Sequence, residues 1–217
     1  MSEKTTPDEA VKPDENDRHK AKMAKRKAVQ DAEVASKTIE KGLLIVNTGP
    51  GKGKSTAAFG LVFRALGNGM KVGIVQFVKG KWETGERHAL EKFGDRVTIK
   101  AMGEGFTWDT QDRARDIAAA KAAWEKAKEM IDACRGPDRP YDMILLDEIN
   151  IVLRYDYLPL EEVVAFLESR PEMLHVIVTG RNAKEELIEA ADLVTEMTQV
   201  KHPFREQGVK AQLGIEF

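Results

Sequence analysis

A glycine-rich stretch with two lysines, residues 48–56, is the part of the sequence whose residue types and spacing most directly indicate chemistry. Its sequence is Thr-Gly-Pro-Gly-Lys-Gly-Lys-Ser-Thr, with a short apolar run before it and a helical pattern after it. Glycines allow successive backbone N–H groups to converge on phosphate oxygens, and the following helix adds the positive end of its dipole. Lys54 adds a full charge, and Ser55 adds a hydroxyl that can ligate Mg²⁺. The predicted ATP-binding residues of this phosphate loop are Gly49, Pro50, Gly51, Lys52, Gly53, Lys54, Ser55 and Thr56.

The phosphate loop departs at its start from the usual pattern G-x-x-x-x-G-K-[ST]. The first position of that pattern falls on Thr48, and the glycine comes one residue later, at Gly49. Pro50 has no N–H, which removes one potential phosphate donor. The ending Gly-Lys-Ser is intact, however, and a chance glycine-rich turn does not account for the order of strand, loop, Gly-Lys-Ser and amphipathic helix. The sequence therefore predicts nucleotide binding.

Two adjacent carboxylates, Asp147 and Glu148, end a later apolar run. Because α/β proteins form their ligand sites at the carboxyl ends of parallel strands, we expect these acids at the same sheet edge as the phosphate loop. Mg²⁺ prefers hard oxygen ligands, so Ser55, Asp147 and Glu148 form the predicted magnesium site. Asp147 would hold the ion directly or through water, and Glu148 would be a second ligand or a base. The alternative is that the acids only cap a helix.

Two arginines complete the set of predicted phosphate contacts. Arg181 follows the fifth apolar run and is predicted to reach the triphosphate from the same sheet edge. Arg64 lies on the helix after the phosphate loop, where it either does the same or pairs with a carboxylate at the surface.

The elements that must position these residues alternate, from Gly42 onward, between short apolar runs and helical patterns. This alternation predicts an α/β fold with a mostly parallel sheet and helices on both faces. The predicted strands are Leu43–Thr48, Lys71–Val78, Arg96–Met102, Met143–Asp147, His175–Thr179 and Leu193–Glu196. The tail, residues 207–217, is a candidate edge hairpin.

Composition predicts a globular protein with a charged arm in front. The 217 residues are 42% hydrophobic and 32% charged, with a formal net charge of −2. We predict an arm over residues 1–41, partly helical or disordered, and a nucleotide-binding domain over residues 42–217. Within the arm, Ala21–Glu40 is a candidate helix that docks on a partner or on the core. A single cysteine, Cys134, and the lack of any apolar run of about 20 residues favour the cytoplasm and exclude a membrane helix.

Beyond these patterns, the chain resembles the P-loop corrinoid adenosyltransferases, also called cob(I)alamin adenosyltransferases. The resemblance covers most of residues 42–217. It is carried, besides the phosphate loop, by residues 57–60 (AAFG), 75–80 (VQFVKG), 85–87 (GER), 102–108 (MGEGFTW), 146–148 (LDE), 155–160 (YDYLPL), 178–181 (VTGR), 200–204 (VKHPF) and 208–215 (GVKAQLGI). The fold that it implies is a RecA-like P-loop fold.

This resemblance implies the chemistry. Cobalt in the +1 state attacks the 5′ carbon of ATP and expels tripolyphosphate, while the phosphate loop, with Lys54 as a catalytic residue, and Mg²⁺ stabilise the leaving group. No general base is required, so Glu148 would serve the metal or the ribose. Phe106 and Trp108 would lie on the lower face of the corrinoid, exclude its axial base and leave a Co(II) that is easier to reduce. The family also implies a reductase as electron donor and a homodimer, in which the helix of the arm lies over the partner's active site.

Two departures from the family and two rival functions stay open at this point. Pro50 stands where the family commonly has asparagine, and Lys184 stands where a different polar residue is expected. The main rival is a RecA-like ATPase that hydrolyses ATP with Glu148 as its base. A third alternative is a nucleotide-dependent module that binds nucleic acid through the basic cluster of its arm.

Overall fold

The computed structural model describes residues 14–78, 84–102 and 112–215. It divides the chain into two compact units, residues 1–40 and residues 41–217. Among the described residues, no helix is both long enough and apolar enough to cross a membrane.

The first unit is built on one long helix, α1, Glu15–Ala35, whose residues are all exposed. This helix begins and ends earlier than the predicted span of residues 21–40. The early start is favoured by Glu15 and Asp17, which lie in the first turn and complement the positive end of the helix dipole. Beyond the end of α1, the β-branched side chains of Thr38 and Ile39 disfavour continuation, because branching at Cβ restricts rotamers in a helix.

The second unit alternates strands and helices, as the sequence predicted. Its strands are β1 Leu44–Thr48, β2 Val72–Gln76, β3 Val97–Ala101, β4 Met143–Asp147, β5 His175–Thr179 and β6 Leu193–Glu196. Its helices are α2 Lys54–Gly67, α3 Gly85–Glu91, α4 Arg113–Asp132, α5 Ile149–Arg154, α6 Leu160–Glu168, α7 Glu185–Ala190 and α8 Pro203–Gln207, with short 3₁₀ turns at Gly94–Arg96 and Ala133–Arg135. All six predicted strands are confirmed, with bounds that shift by two residues at most.

The six strands form one parallel sheet in the order β3-β2-β4-β5-β1-β6. The phosphate-loop strand β1 and the acidic strand β4 are therefore separated by β5. Register places Val46 beside Val178 and Gln76 beside Asp147. This strand order brings the ends of β1 and β4, which are distant in the sequence, to the same carboxyl edge of the sheet.

Both faces of the sheet are covered by helices, because successive strand residues point to opposite sides. Ile45, Leu145 and Ile177 pack on one face against apolar residues of α2 and α3. Leu146 and Val178 pack on the other face, against α4, α5, α6 and α7. Complete burial of such side chains contributes roughly 1.5–3 kcal/mol each. The predicted α/β fold class, a parallel sheet with helices on both faces, is confirmed.

The tail differs from its prediction. Residues 203–207 form the short helix α8, and residues 208–215 contain a turn but no strand. The predicted edge hairpin is therefore wrong for this described part of the tail. Pro203 at the start of α8 and Gly208 at its end, the latter with φ of 65°, favour a single helical turn at this point.

Candidate active site

The phosphate loop connects β1 to α2 and lies at the carboxyl edge of the sheet. Gly49 and Gly53 have φ of 98° and 101°, in a region that glycine adopts without the cost that a Cβ would bring. Gly53 is the residue before α2, so the helix begins at Lys54 and its first N–H groups face the loop. The side-chain amide of Asn47 donates to the carbonyl of Lys54 at 3.3 Å and holds this first turn against β1.

Behind the loop lies the backbone that follows β6. The N–H of Met197 donates to the carbonyl of Thr48 at 2.9 Å, and the N–H of Gly51 donates to the carbonyl of Met197 at 2.6 Å. A Cβ at Gly51 would lie 2.6 Å from the carbonyl oxygen of Thr198, which is closer than real Cβ contacts. Sequence analysis did not find Met197 or Thr198, because nothing local to residues 197–198 indicates which loop they contact.

Lys54, the lysine of the Gly-Lys-Ser ending, folds back onto its own loop. Its ammonium group donates to the carbonyl of Gly51. Burial is the largest cause of a lowered pKa for Lys54, and the positive charge of Arg181 lowers it further, while the negative charge of Glu148 opposes the shift. The charges of Arg181 and Glu148, two other predicted site residues, therefore both act on Lys54.

Asp147, the last residue of β4, is fully buried and accepts three side-chain hydrogen bonds. The hydroxyls of Ser55 and Thr179 each donate to Oδ1 at 2.8 Å, and the amide of Gln76 donates to Oδ2 at 3.2 Å. Thr179 and Gln76 were missed by sequence analysis, although each is the polar last residue of an apolar strand, as Asp147 is. That shared position is the signal that identifies all three.

Glu148 immediately precedes the helix α5 and has an unusual backbone conformation. Its φ is 66°, in the left-handed region, and its N–H donates to the hydroxyl of Thr179 at 2.9 Å. Its side chain makes no capping hydrogen bond to α5. The alternative that these acids only cap a helix is therefore wrong, since Asp147 accepts from side chains and Glu148 does not cap.

Arg181 follows β5 at a tight turn that a neighbouring side chain holds. Gly180 has φ of 129°, and a Cβ there would lie 2.8 Å from Cβ of Asn150. The amide of Asn150, which is fully buried, donates to the carbonyl of Gly180 at 3.2 Å. Asn150 was missed by sequence analysis and lies where it can position Arg181.

Arg64 is not brought to the phosphate loop within this chain. It is exposed and lies in the last turn of α2. Arg64 lies ten positions after Lys54, which corresponds to about 15 Å along the helix axis. The other predicted arginine, Arg181, is the one whose charge acts on Lys54.

The oxygen donors at this edge suit Mg²⁺. The described residues contain no group of three or more His, Cys, Asp or Glu side chains arranged to hold a metal by themselves. A magnesium site that is completed by nucleotide phosphates needs only one or two protein oxygens. The Ser55 hydroxyl and the Asp147 carboxylate, hydrogen-bonded to each other, have the chemistry of such a site.

The two predicted corrinoid contacts, Phe106 and Trp108, lie outside the described residues.

Comparison with known proteins identifies relatives over the whole chain. Residues 40–217 match the family model described as ATP:corrinoid adenosyltransferase BtuR/CobO/CobP, and residues 3–34 match the model described as Cob(I)alamin adenosyltransferase N terminal. A corrinoid adenosyltransferase of Sinorhizobium sp. is 58% identical and covers 100% of both chains. A corrinoid adenosyltransferase of Pseudomonas aeruginosa is 51% identical over 94% of this chain and 98% of its own.

A third relative, the corrinoid adenosyltransferase of Escherichia coli K12, is 48% identical over 93% of this chain and 99% of its own. Among solved structures, the RadB recombinase aligns with a TM-score of 0.42 and 16% identity, over 79% of this chain and 81% of that chain.

Proposed function

The chain belongs to the ATP:corrinoid adenosyltransferase family, and from that premise we propose that it transfers the 5′-deoxyadenosyl group of ATP to the Co(I) of a corrinoid. The electron pair of Co(I) forms the Co–C bond to the 5′ carbon. The bond from that carbon to the triphosphate oxygen breaks, and its electron pair leaves with tripolyphosphate. The reaction belongs to adenosylcobalamin biosynthesis or salvage.

The observation that carries this proposal is the family match over residues 40–217, which includes the phosphate loop. Supporting it, the loop and the Asp147 carboxylate share one sheet edge, where the Ser55 hydroxyl bonds to Asp147. An amino-terminal helix end and an adjacent lysine are suited to a highly charged leaving group.

Within the site, the phosphate loop binds the triphosphate and Lys54 neutralises the charge that develops on the leaving oxygen. Arg181 contacts the same triphosphate, which agrees with its electrostatic effect on Lys54. Ser55, Asp147 and Glu148 hold Mg²⁺, whose charge adds to that of Lys54 when the ion is bound. Because cobalt is the nucleophile, no residue must activate water. Glu148 therefore serves the metal or the ribose.

Phe106 and Trp108 bind the corrinoid; the family resemblance is the basis for this assignment. Two aromatic side chains offer an apolar wall to a large flat macrocycle. On the lower face of the corrinoid they exclude the axial base and make Co(II) easier to reduce. A reductase supplies the electron, and the enzyme works in the cytoplasm as a homodimer. In this homodimer the helix of the arm lies over the active site of the partner, and residues 3–34 match a family model of their own.

The test is an anaerobic incubation of the protein with ATP, Mg²⁺ and chemically reduced cob(I)alamin. The expected product has a light-sensitive Co–C bond, formed in equal amount with intact tripolyphosphate. Steady release of orthophosphate without corrinoid, and no Co–C product, would instead identify an ATPase with Glu148 as its base.

A further inference from the structure

A continuous series of three hydrogen bonds runs from the edge strand β6 to Lys54. The N–H of Met197 donates to the carbonyl of Thr48, and the carbonyl of Met197 accepts from the N–H of Gly51. The carbonyl of Gly51 in turn accepts from the ammonium group of Lys54. The N–H of Gly51 is therefore held from behind, by the backbone that follows β6, while the carbonyl of the same residue faces Lys54.

Close packing between the two backbones leaves no space for a Cβ at Gly49 or Gly51. A Cβ at Gly49 would lie 2.5 Å from the carbonyl oxygen of Met197, and a Cβ at Gly51 would lie 2.6 Å from that of Thr198. By contrast, a Cβ at Gly53 would meet nothing within 4 Å. The first half of the loop is thus seated on residues 197–198, whereas the second half is open.

From this contact we infer that Met197 and Thr198 form a loop clamp, a positioning element that orients the phosphate loop for the triphosphate. The inference rests on the proposed function, since it assumes that the loop binds ATP. Two positions of the loop then supply no hydrogen-bond donor to the phosphates, because Pro50 has no N–H and the N–H of Gly51 points to the clamp.

The phosphate cradle is consequently restricted to the open half of the loop and the start of α2. Its backbone donors are the N–H groups of residues 52–56, which precede or begin the helix. The clamp also gives Lys54 a defined partner before ATP arrives, because the carbonyl of Gly51 faces its ammonium group. Binding of ATP exchanges that carbonyl for phosphate oxygens without moving Gly51.

Amide hydrogen exchange, measured by NMR on the full chain, tests the clamp directly. In the ATP-free protein the Gly51 amide should already be protected, and MgATP without corrinoid should leave its protection unchanged. The amides of Gly53, Lys54 and Ser55 should become protected only when MgATP is added. Rapid exchange at Gly51 before ATP, or protection there only after ATP, would overturn the inference. Failure of MgATP to protect any loop amide would contradict the proposed nucleotide site instead, because the ATP-free measurement stands by itself.

A matched pair of proline variants tests the same contact by changing the backbone that follows β6. Met197→Pro removes the N–H that donates to Thr48, whereas Gln199→Pro makes the same change at the first residue beyond the clamp. We expect Met197→Pro to weaken MgATP binding by about 2- to 10-fold and to lower the protection of the Gly51 amide. Gln199→Pro should change neither. Equal effects of the two variants, or a Met197→Pro protein that keeps both properties, would overturn the inference; thermal melts establish that each variant is folded.

Discussion

The hydroxyl of Ser55 donates a 2.8 Å hydrogen bond to the carboxylate of Asp147, which lies 92 positions further along the chain. Ser55 lies in α2, the helix that follows β1, whereas Asp147 ends β4, a strand that β5 separates from β1. The bond links the phosphate loop to the acidic strand. It also orients the lone pairs of the Ser55 oxygen away from Asp147, where they can ligate a cation.

Replacement of Lys54 by alanine should reduce adenosyl transfer by about 100-fold or more, because a half-buried positive charge at the leaving oxygen is lost. The measurement is the rate of Co–C bond formation from ATP and chemically supplied cob(I)alamin. Lys121→Ala, an exposed lysine of α4, is the control and should retain full activity. Wild-type rates for Lys54→Ala would show that this lysine does not act on the triphosphate.

Replacement of Asp147 by asparagine should raise the Mg²⁺ concentration needed for half-maximal transfer by about 10- to 100-fold, because the negative charge next to Ser55 is lost. A magnesium titration at saturating ATP measures this change. Asp138→Asn removes an exposed carboxylate and should leave the titration unchanged. An unaltered magnesium requirement in Asp147→Asn would argue against a metal at this acid.

Replacement of Asn150 by alanine should raise KM for ATP by about 2- to 10-fold and change kcat less, because Gly180 loses the donor that holds the turn before Arg181. A double-mutant cycle with Arg181→Ala identifies the route of the effect. If Asn150 acts by positioning Arg181, its replacement should add little in the Arg181→Ala background. Full additivity of the two changes would contradict that route.

Replacement of Phe106 or Trp108 by alanine should impair transfer that starts from Co(II) more than transfer that starts from Co(I). The physical reason is that the aromatic pair is proposed to exclude the axial base, which matters only for reduction. Parallel assays with a reductase and Co(II), and with chemically prepared Co(I), measure the two routes. An equal loss on both routes would refute the proposed aromatic role.

The stability of the second unit should depend on pH through Asp192, at the amino edge of the sheet. Burial by itself raises the pKa of Asp192, but hydrogen bonds from Lys41 and from the N–H of Leu44, with the charge of Arg170, outweigh burial, so the pKa lies below its ordinary 3.8. A carboxylate with a lowered folded pKa stabilises the fold above its unfolded pKa. That stabilisation is lost as the pH falls through the folded pKa.

Asp192→Asn should therefore lower the free energy of unfolding by about 1–2 kcal/mol at pH 7, and its difference from wild type should shrink as the pH falls below about 4. Urea unfolding at a series of pH values measures this difference. Asp95→Asn, at an exposed acid, is the control and should show a small difference at every pH. A constant deficit for Asp192→Asn down to pH 2 would contradict the assigned role of the charge.

The sequence alone determined those features that depend on residues close together in the chain. All six strands were predicted, because buried parallel strands are short apolar runs and the helices between them have their own period. The phosphate loop was predicted for the same reason, since glycines, lysine and serine act within one turn. Asp147 was predicted from its position at the end of such a run.

Only the tertiary structure decided which distant residues meet. Strand order places Thr179 and Gln76 on the carboxylate of Asp147, and it places Met197 behind Gly51. No local pattern reports strand order, because pairing is chosen by the packing of the whole sheet. Arg64 and Arg181 were both candidates in the sequence, with surface pairing left open for Arg64, and the tertiary structure distinguishes between them. An arginine at the far end of α2 is carried away from the loop by the rise of the helix, whereas the one that follows β5 ends at the same edge.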